Sequence, residues 1–333
     1  MRIHCFGASV TQQSVNHISG EITGYTLQLK KQLAKTLGPV DVEVTACGSS
    51  YFDTAGYCLL PGILDSSPDV LVFEWFTTGL KRFDDVLWSS AVKMIRDSEI
   101  PTIFAIFPKR SLFSSGLECD AIWQARGAIG GNIFVLDIYK SCRDSFSPEC
   151  HLRDESHTNA NGALFYAEKL SSAIEAALSP LTTTSIMHGI DGEYIPVGEP
   201  SVLPQVDSVE LVNLADHAKG LSFHVKPQAD LTSVRLVLDN KIGPFSPVVR
   251  LSFCQQSLEV SLWDPWCHFV RQCYSALPTL NGLPPGWHKV ELSISPKVPR
   301  YSACRKEGFC PPPSSDLRID ASRIFCIGGE IEI

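Results

Sequence analysis

The chain has 333 residues, a formal net charge of −8, 44% hydrophobic residues and 19% charged residues. A packed core is within reach and wholesale disorder is not expected. The acidic balance and the lack of any long basic run argue against a nucleic-acid partner, which needs clustered Lys and Arg.

The chain opens Met1-Arg2-Ile3-His4-Cys5-Phe6. That start lacks the apolar h-region of a secretory signal. No apolar stretch approaches the ~20 residues of a membrane span. A soluble cytoplasmic protein is the resulting expectation.

Residues 1–179 alternate strand and helix signals. Ile3 to Phe6 is a short first strand. Tyr25, Leu29, Leu33 and Leu37 recur every fourth position and predict an amphipathic helix. Val40, Val42 and Val44 alternate as a strand. Asp69 to Phe73 is an apolar run of the length of a buried parallel strand. Residues 84–97 read as a helix, Thr102 to Phe107 as a strand stopped by Pro108, and Ile133 to Leu136 as a fifth strand. Ala160 to Leu178 is a long helix with one apolar stripe. Strands alternating with helices imply a parallel sheet covered on both faces.

The pattern changes after Leu178. Residues 180–206 are rich in Pro, Gly and Thr and read as a linker or crossover. Residues 207–333 carry short β-type runs at Val209–Leu214, Leu221–Val225, Ser233–Leu238, Val248–Phe253, Leu258–Trp263, Trp287–Ile294 and Ile324–Ile333. A β-rich accessory domain, a sandwich, is the expectation. Trp263, Trp266, Trp287 and His268 are candidates there for a sugar-stacking face, with core packing the competing reading. The twelve cysteines show no tight CxxC knuckle. They read as small buried side chains rather than zinc ligands or disulfides.

In doubly wound sheets ligands sit outside the C-terminal ends of the strands. The loops there carry Gly7-Ala8-Ser9-Val10-Thr11, then Ala46-Cys47-Gly48-Ser49-Ser50, then Glu74-Trp75-Phe76-Thr77-Thr78-Gly79. Asp154-Glu155-Ser156-His157 precedes the last helix. A serine hydroxyl becomes nucleophilic when a base removes its proton. His157 can do this for Ser9, with Asp154 accepting the other ring proton from the same turn. The amides of Ser9 and Gly48 are candidate oxyanion donors. Glu74 and Trp75 are candidates for a pocket beside them. No metal-ligand or phosphate-loop spacing appears, so no cofactor is expected.

These segments resemble the blocks of the SGNH/GDSL hydrolases. Ser9 falls at the nucleophile of the GDS block, Gly48 at the second-block glycine, and Asp154-x-x-His157 at the DxxH of the last block. The resemblance covers about residues 1–178. It implies a flavodoxin-like three-layer α/β/α domain and a serine esterase acting on small O-acyl esters through an acyl-Ser9 intermediate. Acetyl groups on a carbohydrate are the substrate class implied. Two positions depart from the pattern. Ala8 stands where GDS has its aspartate. Alignment on the strand from Pro68 to Phe73 puts Thr78 where the family has an oxyanion-donating Asn, with Phe76 for the Gly and Gly79 for the Asp of that block. A Thr hydroxyl has a shorter reach, and losing one such donor costs about 3–4 kcal/mol of transition-state stabilisation. A carbohydrate O-acyltransferase on the same Ser-His-Asp site and a catalytically weak or inactive binding module are the alternative readings.

Overall fold

The computed structural model describes residues 1–13, 24–77, 82–115, 120–179, 197–200, 202–211 and 220–333. The chain divides into two compact units, Met1–Ser201 and Val202–Ile333. Most of the expected linker, 180–196, lies outside the described residues.

The first unit is built on five parallel strands: β1 (Arg2–Gly7), β2 (Asp41–Ala46), β3 (Val70–Glu74), β4 (Thr102–Ile106) and β5 (Ile133–Asp137). Their order is β2-β1-β3-β4-β5, the flavodoxin-like winding, with its switch point between β1 and β3. β3 and β4 are buried along their whole length. This is why they appear in the sequence as unbroken apolar runs rather than alternating ones.

Nine α-helices are described: α1 (Ser9–Gln12), α2 (Gly24–Thr36), α3 (Tyr57–Asp65), α4 (Asp85–Asp97), α5 (Arg110–Ser115), α6 (Asp120–Gly127), α7 (Ile138–Ser141), α8 (Pro148–His151) and α9 (Ala160–Ala177). Tyr25, Leu29 and Leu33 of α2 and Tyr166, Leu170 and Ile174 of α9 share one core with Ile3, Val70, Val72 and Ile103. Each such side chain contributes about 1.5–3 kcal/mol by leaving water. Phe73 points the other way along β3 and meets Phe52 at 5.7 Å and Trp88 of α4 at 6.3 Å. Helix α3 carries Pro61 in its interior. Pro and Gly side by side hid it from periodicity, because Pro gives up a helix hydrogen bond.

Ten antiparallel strands make up the described second unit: β6 (Val206–Glu210), β7 (Gly220–Pro227), β8 (Ser233–Ile242), β9 (Val248–Phe253), β10 (Gln256–Ser261), β11 (Arg271–Ala276), β12 (Leu280–Asn281), β13 (His288–Ile294), β14 (Asp320–Ile327) and β15 (Gly329–Glu332). One sheet runs β10-β9-β13-β7-β15, the other β11-β8-β14-β6 with β12 beside β8. Alternate residues such as Leu221, Phe223 and Val225 of β7 and Leu236 and Leu238 of β8 point into one shared core. The unit is a β-sandwich.

Trp263, a candidate for a sugar-stacking face with core packing as the competing reading, is buried. It packs on Tyr301 at 5.4 Å in a small cluster with Cys267 and Cys273. Trp266 and Trp287 are exposed, and each lies under a cation, Arg305 and Lys226 respectively. Among the described residues Cys5, Cys58, Cys142, Cys267, Cys273 and Cys326 are buried. No helix of the described residues is long and apolar enough to cross a membrane.

Candidate active site

Backbone bonds tie together the loops at the C-terminal edge of the sheet. The Ala8 amide donates to Glu74 O at 3.2 Å, joining the ends of β1 and β3. The Cys47 amide donates to Gly7 O at 3.1 Å, joining β2 to β1. Ser9 therefore starts α1 directly beside the switch point, half-buried. The turn closes with the Gln12 amide on Ala8 O at 2.8 Å and the Gln13 amide on Ser9 O at 3.1 Å.

Gly48 is buried one residue beyond the β2–β1 link. A Cβ built on it would lie 1.9 Å from Gln12 Oε1, so the Gln12 side chain, one helical turn from Ser9, rests on this glycine. The first amides of a helix have no partner in the helix itself. Those of Ser9 and Gly48 donate to no acceptor among the described residues. Thr78 lies outside the described residues.

His157 approaches the same edge from the other side. The loop that carries it is held to the chain after β4: the Arg110 amide donates to Glu155 O at 2.8 Å, and the Ser111 amide to Glu155 Oε1 at 3.2 Å. The Arg153 amide donates to His157 O at 2.9 Å and closes the loop on itself. Asp154 Oδ1 accepts the amides of Ser156 and His157 at 3.0 and 2.9 Å. Its Oδ2 meets His157 Nδ1 at 2.8 Å. Burial raises the Asp154 pKa, but the two amides and the imidazole outweigh it, and the carboxyl sits below the usual range.

With Nδ1 on Asp154, Nε2 is the nitrogen left for chemistry. It is buried and has no hydrogen-bond partner. After the site, Asn159 caps α9 by accepting the Gly162 amide at 3.0 Å.

Two of the predicted residues, Asp154 and His157, are thus in direct contact, and Ser9 and Gly48 share the edge they occupy. β1 and β4 are separated by β3, on the order of 10 Å between strand axes. The Ser9 hydroxyl makes no hydrogen bond to the imidazole. Glu74 and Trp75 do not line an open pocket. Trp75 is fully buried in the layer under α3, edge-on to Phe6 at 5.2 Å, with Gly56 leaving room for its ring. Its position at a strand end, not its facing, suggested the pocket.

Glu74 is also fully buried. Its Oε2 accepts from Thr11 Oγ1 at 2.8 Å, and Thr11 Oγ1 meets Tyr25 OH at 2.9 Å. Sequence reasoning missed Thr11 and Tyr25 as polar neighbours of the site. Thr11 stood two places from Ser9, but Tyr25 read only as an apolar helix position. Among the described residues no three His, Cys, Asp or Glu side chains gather to hold a metal ion.

The winding, the half-buried serine on the turn after the first strand and the Asp–His pair ahead of the last helix define the class of fold. It is a flavodoxin-like α/β/α domain followed, along the chain, by a β-sandwich. A two-domain esterase active on acetylated mannans, crystallised with mannopentaose, aligns with 98% of this chain and 90% of its own, with a TM-score of 0.62 and 11% identity. A second crystal structure of a two-domain esterase active on acetylated mannans gives 0.61 over 98% and 91%, again at 11% identity. The lipase/acylhydrolase from Enterococcus faecalis aligns with 54% of the chain and 98% of its own length, at 16% identity and a TM-score of 0.42. No protein-family model matches the chain, and no curated protein matches it in sequence.

Proposed function

We propose that the first unit is a serine esterase that removes small O-acyl groups, acetyl above all, from a carbohydrate. The observation that carries this reading is the Asp154–His157 pair at 2.8 Å, with Nε2 unpartnered on the sheet edge that bears Ser9. That nitrogen has the setting of a general base. The two-domain likeness to esterases active on acetylated mannans supports an acetylated polysaccharide as substrate class.

In this mechanism Ser9 Oγ attacks the acyl carbonyl as His157 Nε2 takes its proton. Asp154 holds the ring and stabilises the imidazolium. The oxyanion faces the amides of Ser9 and Gly48. Collapse expels the sugar oxygen, which takes the proton from His157, and leaves acyl-Ser9. Water, deprotonated by His157, then releases the carboxylic acid and restores the hydroxyl.

The test is labelling with a fluorophosphonate probe together with acetate release from acetylated mannan. Labelling at Ser9 and acetate release, both lost in Ser9→Ala, are expected. A folded protein that neither labels nor releases acetate would refute the esterase.

A further inference from the structure

Glu74 ends β3 immediately beneath the turn that carries Ser9. A carboxyl group withdrawn from water is costly unless partners replace the solvent. Among the described residues its partners are neutral. The Thr11 hydroxyl donates to Oε2 at 2.8 Å, and the Thr77 hydroxyl and the amides of Ala8 and Thr11 lie nearby. Oε1 has no hydrogen-bond partner. The titratable groups facing this cluster are Tyr25 from α2, Tyr166 from α9 and, behind Tyr25, Cys5 from β1, all pushed toward their neutral forms by burial.

The backbone makes room for this acid. A Cβ at Gly7 would lie 2.5 Å from Thr11 Oγ1 and 2.8 Å from Glu74 Oε2. The N-cap of α1 is Ala8, which has no side-chain oxygen for the first amides, and an uncapped helix start leaves those donors unserved. Ala8 stands where a GDS block carries its own carboxylate. Here a carboxyl reaches in from the neighbouring strand. An apolar side chain of this size would pack in the same space without the desolvation cost. Packing therefore does not account for an acid at this point.

We propose that Glu74 is a positioning residue for the nucleophile: by holding the Thr11 hydroxyl from below, it fixes α1 and with it the direction of the Ser9 hydroxyl. This rests on the reading of Ser9 as nucleophile. The grip runs through Thr11 to a residue two places away, and small misplacements of a nucleophile cost up to about 100-fold in rate.

The experiment compares Glu74→Met, Glu74→Gln, Thr11→Val and Ser9→Ala in the full chain. Turnover of 4-nitrophenyl acetate is measured per site titrated with a fluorophosphonate. Glu74→Met and Thr11→Val are each expected to lower kcat at least about tenfold with KM within about twofold, and together to do no more than either alone. Glu74→Gln keeps an oxygen for Thr11 to donate to. It is expected to recover most of kcat while its kcat/KM profile loses one ionisation between about pH 6 and 8.

Wild-type kcat per titrated site in both Glu74→Met and Thr11→Val, with Ser9→Ala inactive, would overturn the positioning role and leave the nucleophile standing. Should Glu74→Met not fold, Thr11→Val decides alone. Full activity in Ser9→Ala would overturn the nucleophile and this role with it.

Discussion

Glu74→Gln has a second, thermodynamic signature. Burial lifts the Glu74 carboxyl from its ordinary 4.5 to about 7, against the opposing pull of Thr77, Thr11 and the amides of Ala8 and Thr11. In the unfolded chain those contacts are gone and the group titrates near its ordinary value. Between the two values the folded protein binds more protons than the unfolded one, so stability falls as pH rises. The contribution is fully present below 4.5 and is lost as pH passes through about 7. A displacement of this size is worth about 3 kcal/mol, at about 1.4 kcal/mol for each tenfold change in an equilibrium constant.

Gln does not titrate. Its amide nitrogen inherits the unpartnered place of Oε1, a penalty of about 1–3 kcal/mol that is the same at every pH. The stability difference between wild type and Glu74→Gln is therefore expected to move by about 3 kcal/mol in favour of the variant from about pH 4.5 to pH 8. Urea unfolding at both pH values, followed by fluorescence and circular dichroism, measures it. The β-sandwich and every other titrating group are common to both proteins and cancel. A difference that stays flat with pH would refute the buried, neutral-partnered carboxyl on which the reasoning stands.

Other consequences follow from single contacts. Asp154→Asn keeps an oxygen for the amides of Ser156 and His157 but can no longer hold the same imidazole tautomer; ester hydrolysis is expected to fall about 10³–10⁴-fold with the melting temperature little changed. Gly7→Ala drives a Cβ to 2.6 Å from Glu74 O as well as onto Thr11, whereas Gly48→Ala meets only the mobile end of Gln12. Denaturant titration is expected to show a loss of about 1–3 kcal/mol for the first and under about 1 kcal/mol for the second. Asp137 and Arg126 pair in the core, Nε to Oδ2 at 3.0 Å, with the two residues 3% and 1% exposed. Asp137→Ala takes the carboxylate away from a buried guanidinium and is expected to cost about 3–5 kcal/mol in urea unfolding, most of it recovered in Arg126→Met/Asp137→Leu.

Where a signal is local, the sequence carried it. The apolar runs of β3 and β4 mark strands buried on both faces. Asp154 and His157 lie three residues apart and meet through one turn, so their pairing needs no tertiary knowledge. Where the determinant is a partner far along the chain, the sequence was silent. β11 reads Arg-Gln-Cys-Tyr-Ser-Ala, with no apolar alternation, and is a strand because its backbone pairs with β8. Trp75 and Glu74 are neighbours at one strand end. Period-two geometry sends Trp75 toward Phe6 on one face and Glu74 beneath α1.

The alanine at position 8 is not a simple loss of the carboxylate of the GDS pattern. Thr11 lies 63 positions from Glu74 in sequence and 2.8 Å from it in space. Ala8 alone removes a carboxyl from the nucleophile turn, and a motif comparison records only that removal. The fold brings another carboxyl to the same turn from β3, through the gap that Gly7 leaves. Such an exchange keeps an acceptor beneath α1 while changing which strand provides it, and it couples the Ser9 turn to a group whose protonation changes near neutral pH. A serine site held in this way draws its geometry from the β1–β3 switch point itself rather than from its own block of sequence.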